Sequence, residues 1–180
     1  MKTLFLNPPS YEGFDGGAGS RYQARREVRS FWYPTWLAQP AALVENSKLV
    51  DAPADGLSVE QVLETARDFD LVVIHTSTPS YSNDARVAQA IKDQRPSTLV
   101  GFCGAHPAVL PEETLKGCPA ADFAARAEFD YTIKEIAEGR PLAEVKGISY
   151  PTAGGIVHNP DRELIRNMDA LPSVIDVYKR

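Results

Sequence analysis

Small hydroxylated side chains crowd one stretch of the chain, Thr76-Ser77-Thr78-Pro79-Ser80, directly behind the apolar run Leu71–Ile74. Hydroxyls of this size can line a narrow slot and donate hydrogen bonds to a ligand without filling it. Three other short segments have a similar character. Asn7-Pro8-Pro9-Ser10-Tyr11 follows the apolar start Lys2–Leu6, Gly104-Ala105-His106-Pro107 follows Thr98–Cys103, and Arg126, Glu128, Asp130 and Thr132 follow Asp122–Ala125. No catalytic or metal-ligating residue is assigned. His75 and His106 fall at strand ends, where the ordinary role is to bond loop backbone, and His158 is expected to be exposed. Cys103 and Cys118 form neither a CxxC pair nor a zinc pattern and read as buried apolar residues.

The elements that must position these residues alternate regularly. Lys2–Asn7 reads as a central strand, stopped by Pro8 and Pro9 because proline has no N–H for the ladder. Pro34–Glu45 reads as a helix kinked or started by Pro40, with Trp36, Leu37, Ala41, Leu43 and Val44 as its apolar side. Ser47–Ala52 is a second strand and Pro53–Leu57 a turn. Ser58–Phe69 is a helix with Ser58 and Gln61 at capping-box spacing. Asp70–His75 is an unbroken apolar strand of the kind buried on both faces. A helix capped by Asn83 or Asp84 runs to about Gln94, followed by the strand Thr98–Cys103. Next come a helix Leu110–Gly117 with Pro111 in its first turn, a short strand Asp122–Ala125, and a helix Glu128–Glu138 closed by Gly139.

Five strand–helix units joined by long connections predict an α/β fold: a flavodoxin-like (Rossmann-like) five-stranded parallel sheet of order 2-1-3-4-5. Residues 141–180 differ in character. Val145–Tyr150 and Gly155–Asn159 flank Thr152-Ala153-Gly154 as a β-hairpin, and a polar, Pro-broken linker with Leu164, Ile165, Met168 and Leu171 follows. The expected division is therefore 1–140 and 141–180. In such a sheet, ligands bind where the loops gather beyond the strands' C-terminal ends.

The net charge of −5 argues against a nucleic-acid partner. The chain shows neither a leader pattern nor an apolar run of membrane-spanning length, which predicts a cytoplasmic protein. Ser10–Ser20 is Gly-rich, suited equally to close approach to a ligand or to a surface loop. Arg21, Arg25, Arg26 and Arg29 lead into Phe31, Trp32, Tyr33 and Trp36. The ordinary reading is a solvated basic face beside an aromatic cluster, and the sharper one is a lid or docking surface.

Familiar nucleotide folds do not fit. Asn7 and His75-Thr76 stand where a phosphate-accepting receiver would need acidic groups. Asn-Pro-Pro gives too few free N–H groups for a flavin phosphate, and no GxGxxG opens a helix. The ordered set HTSTPS, GFCGAHPAV and ARAEFDYTIKEIAEG instead resembles the cobalamin-binding domain family. Together with the opening LFLNPPSYEG and the tail VKGISYPTAGGIVHNPDRELIRNMDALP, it resembles the N-terminal domain of cobalamin-dependent radical S-adenosylmethionine enzymes. GAGSRYQARREVRSFWYPTW is similar to the hopanoid-biosynthesis member that forms a cyclitol ether head group.

The resemblance implies cobalamin held at the sheet's C-terminal edge by Asn7, Ser10, Tyr11, Thr76, Ser77, Thr78, Ser80, Gly104, Ala105, His106, Arg126, Glu128 and Asp130. The nucleotide tail would thread between the hydroxyl loop and Gly104-Ala105. The family's Asp-x-His-x-x-Gly after strand one is absent, which implies base-off cobalamin without a histidine ligand. The CxxxCxxC set is absent too, so a 4Fe-4S cluster and S-adenosylmethionine would belong to a radical barrel elsewhere in a longer parent enzyme. A hopanoid substrate would let that parent associate with a membrane. The alternatives are a nucleotide-binding or regulatory module of the same fold, and a degenerate domain that only packs on the barrel.

Overall fold

A strand buried along its whole length, Thr3–Asn7, stands inside the sheet with a parallel neighbour on each side. The computed structural model describes residues 1–12, 15–16, 22–23 and 34–179. In chain order the elements are β1 (Thr3–Asn7), β2 (Asp15–Gly16), β3 (Tyr22–Gln23), α1 (Thr35–Leu43), β4 (Ser47–Asp51), α2 (Ala52–Asp55), α3 (Val59–Ala66) and β5 (Leu71–His75). They continue as α4 (Tyr81–Gln94), β6 (Leu99–Cys103), α5 (Ala105–Val109), α6 (Pro111–Gly117), β7 (Phe123–Ala125), α7 (Asp130–Ala137), β8 (Ile148–Thr152) and β9 (Gly155–His158).

The main sheet runs β4-β1-β5-β6-β7-β8-β9. Its first five strands are parallel and have the expected order 2-1-3-4-5. The five-strand expectation is corrected in one respect. The C-terminal hairpin does not stand apart: β8 pairs antiparallel with β7 and β9 with β8, which extends the sheet to seven strands. An edge strand as short as β7 leaves backbone groups open, and a hairpin that follows can cover them.

Two apolar layers sandwich the parallel strands. Leu4, Leu6, Val72, Ile74, Val100 and Phe102 meet α3, α4 and α6 on one face. Phe5, Leu71, Val73, Cys103 and Phe123 meet α1 and α7 on the other. This alternation follows from the period-two geometry of a strand, and helices on both faces explain the unbroken apolar runs. Both cysteines are buried thiols, and burial pushes the Cys103 thiol far above its ordinary value.

Local signals hold where they depend on neighbours in the chain. Ser58 caps α3 as a full capping box: its Oγ accepts from Gln61 N–H, and Gln61 Oε1 accepts from Ser58 N–H at 2.8 Å. They fail in three places. Pro40 lies inside α1, five residues after its first residue, so it does not start the helix. Residues 105–109 form an additional short helix, and α4 begins at Tyr81, ahead of the expected caps Asn83 and Asp84. Among the described residues no helix is long and apolar enough to cross a membrane.

Candidate functional site

The hydroxyl stretch is a tight turn that bonds mainly to itself. Ser77 Oγ and Ser80 Oγ lie 3.0 Å apart, and Ser77 N–H donates to Ser80 Oγ at 3.1 Å. The hydroxyls of Thr76 and Ser80 donate to Ser77 O at 3.3 and 3.2 Å. Tyr81 N–H donates to Ser77 O at 2.9 Å, so the turn runs straight into α4. Thr76, Ser77 and Ser80 are buried, whereas Thr78 and Pro79 are exposed. These hydroxyls therefore shape the edge, and Thr78 is the member presented outward.

The turn packs directly against the end of β6. Thr76 N–H donates to Cys103 O at 2.9 Å. Gly104 has φ +106°, and a Cβ there would meet Thr76 O at 2.5 Å and the His75 ring at 2.9 Å. Sequence reasoning expected this glycine to leave room for a ligand tail. Its physical role is to let two loops close on each other, since no side chain fits between them. Ala105 opens α5 and is exposed. His106 is buried; its ring stacks on Tyr81 with centroids 4.3 Å apart, and its Nδ1 is 3.2 Å from Thr78 Oγ1. Burial lowers its pKa against an opposing pull from Glu113.

The strand-one loop joins this cluster through α4. Asn83 Nδ2 donates to Pro9 O at 2.9 Å, and Asn83 Oδ1 accepts from Tyr11 N–H at 3.0 Å. The Arg86 guanidinium lies 4.2 Å above the Tyr11 ring and pairs with Glu12 at 3.1 Å. Ser10 Oγ accepts from Glu12 N–H, which rounds off the loop. Asn7 stands apart, donating to Asp51 Oδ1 at 2.7 Å in the buried ends of β1 and β4.

The residues after β7 are turned elsewhere. Arg126 donates to Ile148 O, Ser149 Oγ, Asn159 O and Asp161 Oδ1 at 2.5–3.0 Å. Glu128 Oε2 accepts from Ile165 N–H at 2.6 Å, and Thr132 Oγ1 accepts from Arg162 Nε at 2.8 Å. Arg126, Glu128 and Thr132 thus clamp the hairpin and the segment after it onto the β7–α7 corner. Asp130 opens α7, and burial, with Glu128 nearby, raises its carboxyl pKa.

Sequence reasoning uses one strongly perturbed group at this edge only as a possible helix cap. Asp84 is completely buried in the first turn of α4, and burial pushes its pKa up to about 7 against the pull of Thr76, Ser80 and Asn83. The signal was present: positions 84, 87, 88 and 91 share one helical face, and the last three are Val, Ala and Ile. Phe129 is absent from the sequence expectations, and Trp36 enters them only as part of the apolar side of its helix and of a possible lid. Their rings flank His75, with centroids 5.5 and 6.4 Å away. Burial pushes the His75 pKa down to about 3, so the ring is neutral.

One feature unites the edge. Six buried side-chain polar atoms among the described residues lack a hydrogen-bond partner, and two of them, Glu135 Oε2 and Arg162 Nη2, face each other as an ion pair at 2.7 Å. The other four are Trp36 Nε1, His75 Nδ1, Asp84 Oδ2 and His106 Nε2, all on or beside residues at the strands' C-terminal ends. Buried polar atoms normally find partners, so four orphans gathered at one edge suit a polar-fringed ligand. A groove of about 770 Å³ lies at the opposite strand ends near Lys2, Ser47 and Phe69. It is lined by both carboxylates and lysines, none of them an orphaned group.

Residues 24–137 match the family model described as the B12 binding domain. The chain is 30% identical over 181 residues to an uncharacterized methyltransferase of Pyrococcus horikoshii, an alignment that covers 96% of this chain and 37% of that protein. Its fold is similar to that of TsrM, a radical S-adenosylmethionine methyltransferase from Kitasatospora setae solved with cobalamin and a 4Fe-4S cluster bound. The TM-score is 0.66 at 16% identity, covering 94% of this chain and 30% of that one. The chain thus spans about a third of the length of each of these two proteins.

Proposed function

The chain belongs to the B12-binding domain family, and from that we propose that it holds cobalamin at the C-terminal edge of the parallel sheet as the cofactor domain of a longer enzyme. The observation that carries the reading is the group of four orphaned polar atoms at the edge where ligands of such sheets bind. Around it stand Ser10, Tyr11, Thr76, Ser77, Thr78, Ser80, Gly104, Ala105 and His106. Asn7 supports the floor, and Asp130 flanks the far side. Arg126 and Glu128 serve the site indirectly, by fixing the β7–α7 corner.

When bound, cobalamin supplies a cobalt centre for one-carbon or electron transfer. The chain's own contribution is to bind, orient and shield it. The Asn7–Glu12 loop carries no histidine, which supports a base-off form with no protein imidazole beneath the cobalt. Thr78 is exposed, with its hydroxyl 3.2 Å from His106 Nδ1, and the neutral His75 ring adds no charge to the edge.

The larger enzyme, in this reading, places a 4Fe-4S cluster and S-adenosylmethionine on a radical barrel beyond this domain. The likeness to TsrM and to a methyltransferase relative supports that arrangement. A hopanoid head group as substrate, and contact with a membrane through that substrate, rest on the resemblance of residues 17–36. All but the last three of these lie outside the described residues, apart from Tyr22–Gln23. The test is direct. The chain is mixed with hydroxocobalamin in the dark and desalted, and its visible spectrum is recorded. Retained corrin absorbance with a base-off band shape is expected, and a colourless protein at high cobalamin would refute the assignment.

A further inference from the structure

Asp84 stands behind two of the loops at this edge and belongs to neither. It is fully buried in the first turn of α4, and its N–H donates to Ser80 O at 3.0 Å. Its neighbour Asn83 uses both amide hydrogens as a bridge. One goes to Asp84 Oδ1 at 3.1 Å and the other to Pro9 O at 2.9 Å, while Asn83 Oδ1 accepts from Tyr11 N–H. One carboxyl thus backs both the β1 loop and the turn after β5.

Its second oxygen, Oδ2, has no partner. Thr76 and Ser80 face the carboxyl closely enough to favour its charge. Yet both give their single hydrogen to Ser77 O, at 3.3 and 3.2 Å. Ser80 Oγ is also full as an acceptor: Ser77 N–H donates to it at 3.1 Å, and the Ser77 hydroxyl, 3.0 Å away, has to donate to it as well. Thr76 Oγ1 keeps lone pairs to spare. A carboxylate at Oδ2 meets no hydrogen here, whereas a carboxylic acid carries one and can give it to Thr76 Oγ1. No cation relieves the charged form. The layer around it holds Val62 and Ala66 from α3 and Val100 and Phe102 from β6. Arg86, two residues on, is engaged by Tyr11 and Glu12. The titratable groups on the neighbouring elements are Tyr81, His106 and the buried Cys118 thiol, and none of them adds positive charge. Burial accordingly pushes the Asp84 pKa up to about 7.

We propose that Asp84 is a positioning residue that works as a neutral acid: its proton, given to Thr76 Oγ1, keeps the β5 turn closed while its other oxygen holds Asn83 against the β1 loop, so that the edge takes a corrinoid in this protonation state only. Ionisation draws the Thr76 and Ser80 hydrogens off Ser77 O towards Oδ2 and resets the turn that packs on Gly104. The proposal rests on the cobalamin reading above and adds how that site is regulated.

The probe is methylcobalamin, kept in the dark, whose own groups do not titrate over the range used. Its affinity for the 180-residue chain is measured by equilibrium dialysis from about pH 5.5 to about pH 8.5. The wild type should bind more weakly as pH rises, by up to about tenfold per pH unit once Asp84 ionises, as the loss of one proton requires. Asp84→Asn, whose amide donates as the acid does, should give a level curve. Without ligand, the infrared spectrum of the wild type minus that of Asp84→Asn should contain the carbonyl stretch of one protonated carboxylic acid at the acid end of the range and lose it at the alkaline end. Parallel binding curves, a wild-type affinity that rises with pH, or a difference spectrum without that band would each overturn the proposal and leave cobalamin binding standing. Failure of both proteins to bind at any pH would remove the cobalamin reading, and this coupling with it.

Discussion

Asp84 should make the stability of this protein depend on pH in a way that a single substitution erases. Unfolded, its carboxyl releases a proton near the ordinary value of 3.8; folded, near about 7, because burial disfavours the charge. Between those values the native state holds more protons than the unfolded one, so stability falls as pH rises. The slope is about 1.4 kcal/mol per pH unit, levelling above about pH 7 at a total cost near 4 kcal/mol. The groups facing the carboxyl are Thr76, Ser80 and Asn83, with Asn83 Nδ2 donating to its Oδ1 at 3.1 Å and no cation among them. Asp84→Asn keeps the shape and removes the charge. Urea unfolding of both proteins from pH 5 to pH 9 separates this group from all others, since every other carboxylate titrates in both. The variant should gain on the wild type by about 3 kcal/mol between pH 5 and pH 8, with the change complete by about pH 8. Parallel curves, with a constant difference at every pH, would refute the reasoning. So would a variant less stable than wild type at pH 8, which would mean that the surrounding hydroxyls hold the carboxylate charged at no net cost.

Two structural predictions accompany the binding experiments described above. Gly104→Ala should destabilise the fold by about 2–4 kcal/mol, because the new Cβ meets Thr76 O at 2.5 Å in a backbone conformation that side chains rarely adopt; chemical denaturation with a shift under 0.5 kcal/mol would contradict this. Arg126→Ala should cost about 2–3 kcal/mol, since it strips four acceptors on the hairpin and the following segment. Hydrogen exchange should rise first in residues 148–165, and uniform acceleration across the sheet would contradict the clamp.

The strand–helix alternation, the 2-1-3-4-5 order and the Ser58 cap were legible in the sequence. Each depends on apolar periodicity or on residues three or four apart. So was the crowding of hydroxyls behind β5 and the need for something small at position 104. The roles of these residues were less legible. The Thr76–Ser80 hydroxyls look like ligand donors until their partners are counted, and most of those partners lie within the turn. Arg126, Glu128 and Asp130 share one motif, yet the first two bond residues 20 to 40 positions later while the third opens α7 and is partly buried there.

The sequence by itself determined which segments become strands and which edge gathers the polar loops, because burial of an apolar run is decided by the run's own pattern. Tertiary structure alone decided where the polar atoms find partners. Two strands of a hairpin close the sheet at β7, a carboxylate on the α4 apolar stripe loses its water, and Trp36 and His75 meet 39 residues apart with their nitrogens unanswered. A hydrogen bond needs a specific atom at a specific place, and the distant segment that supplies it, or fails to, is placed only when the core has closed.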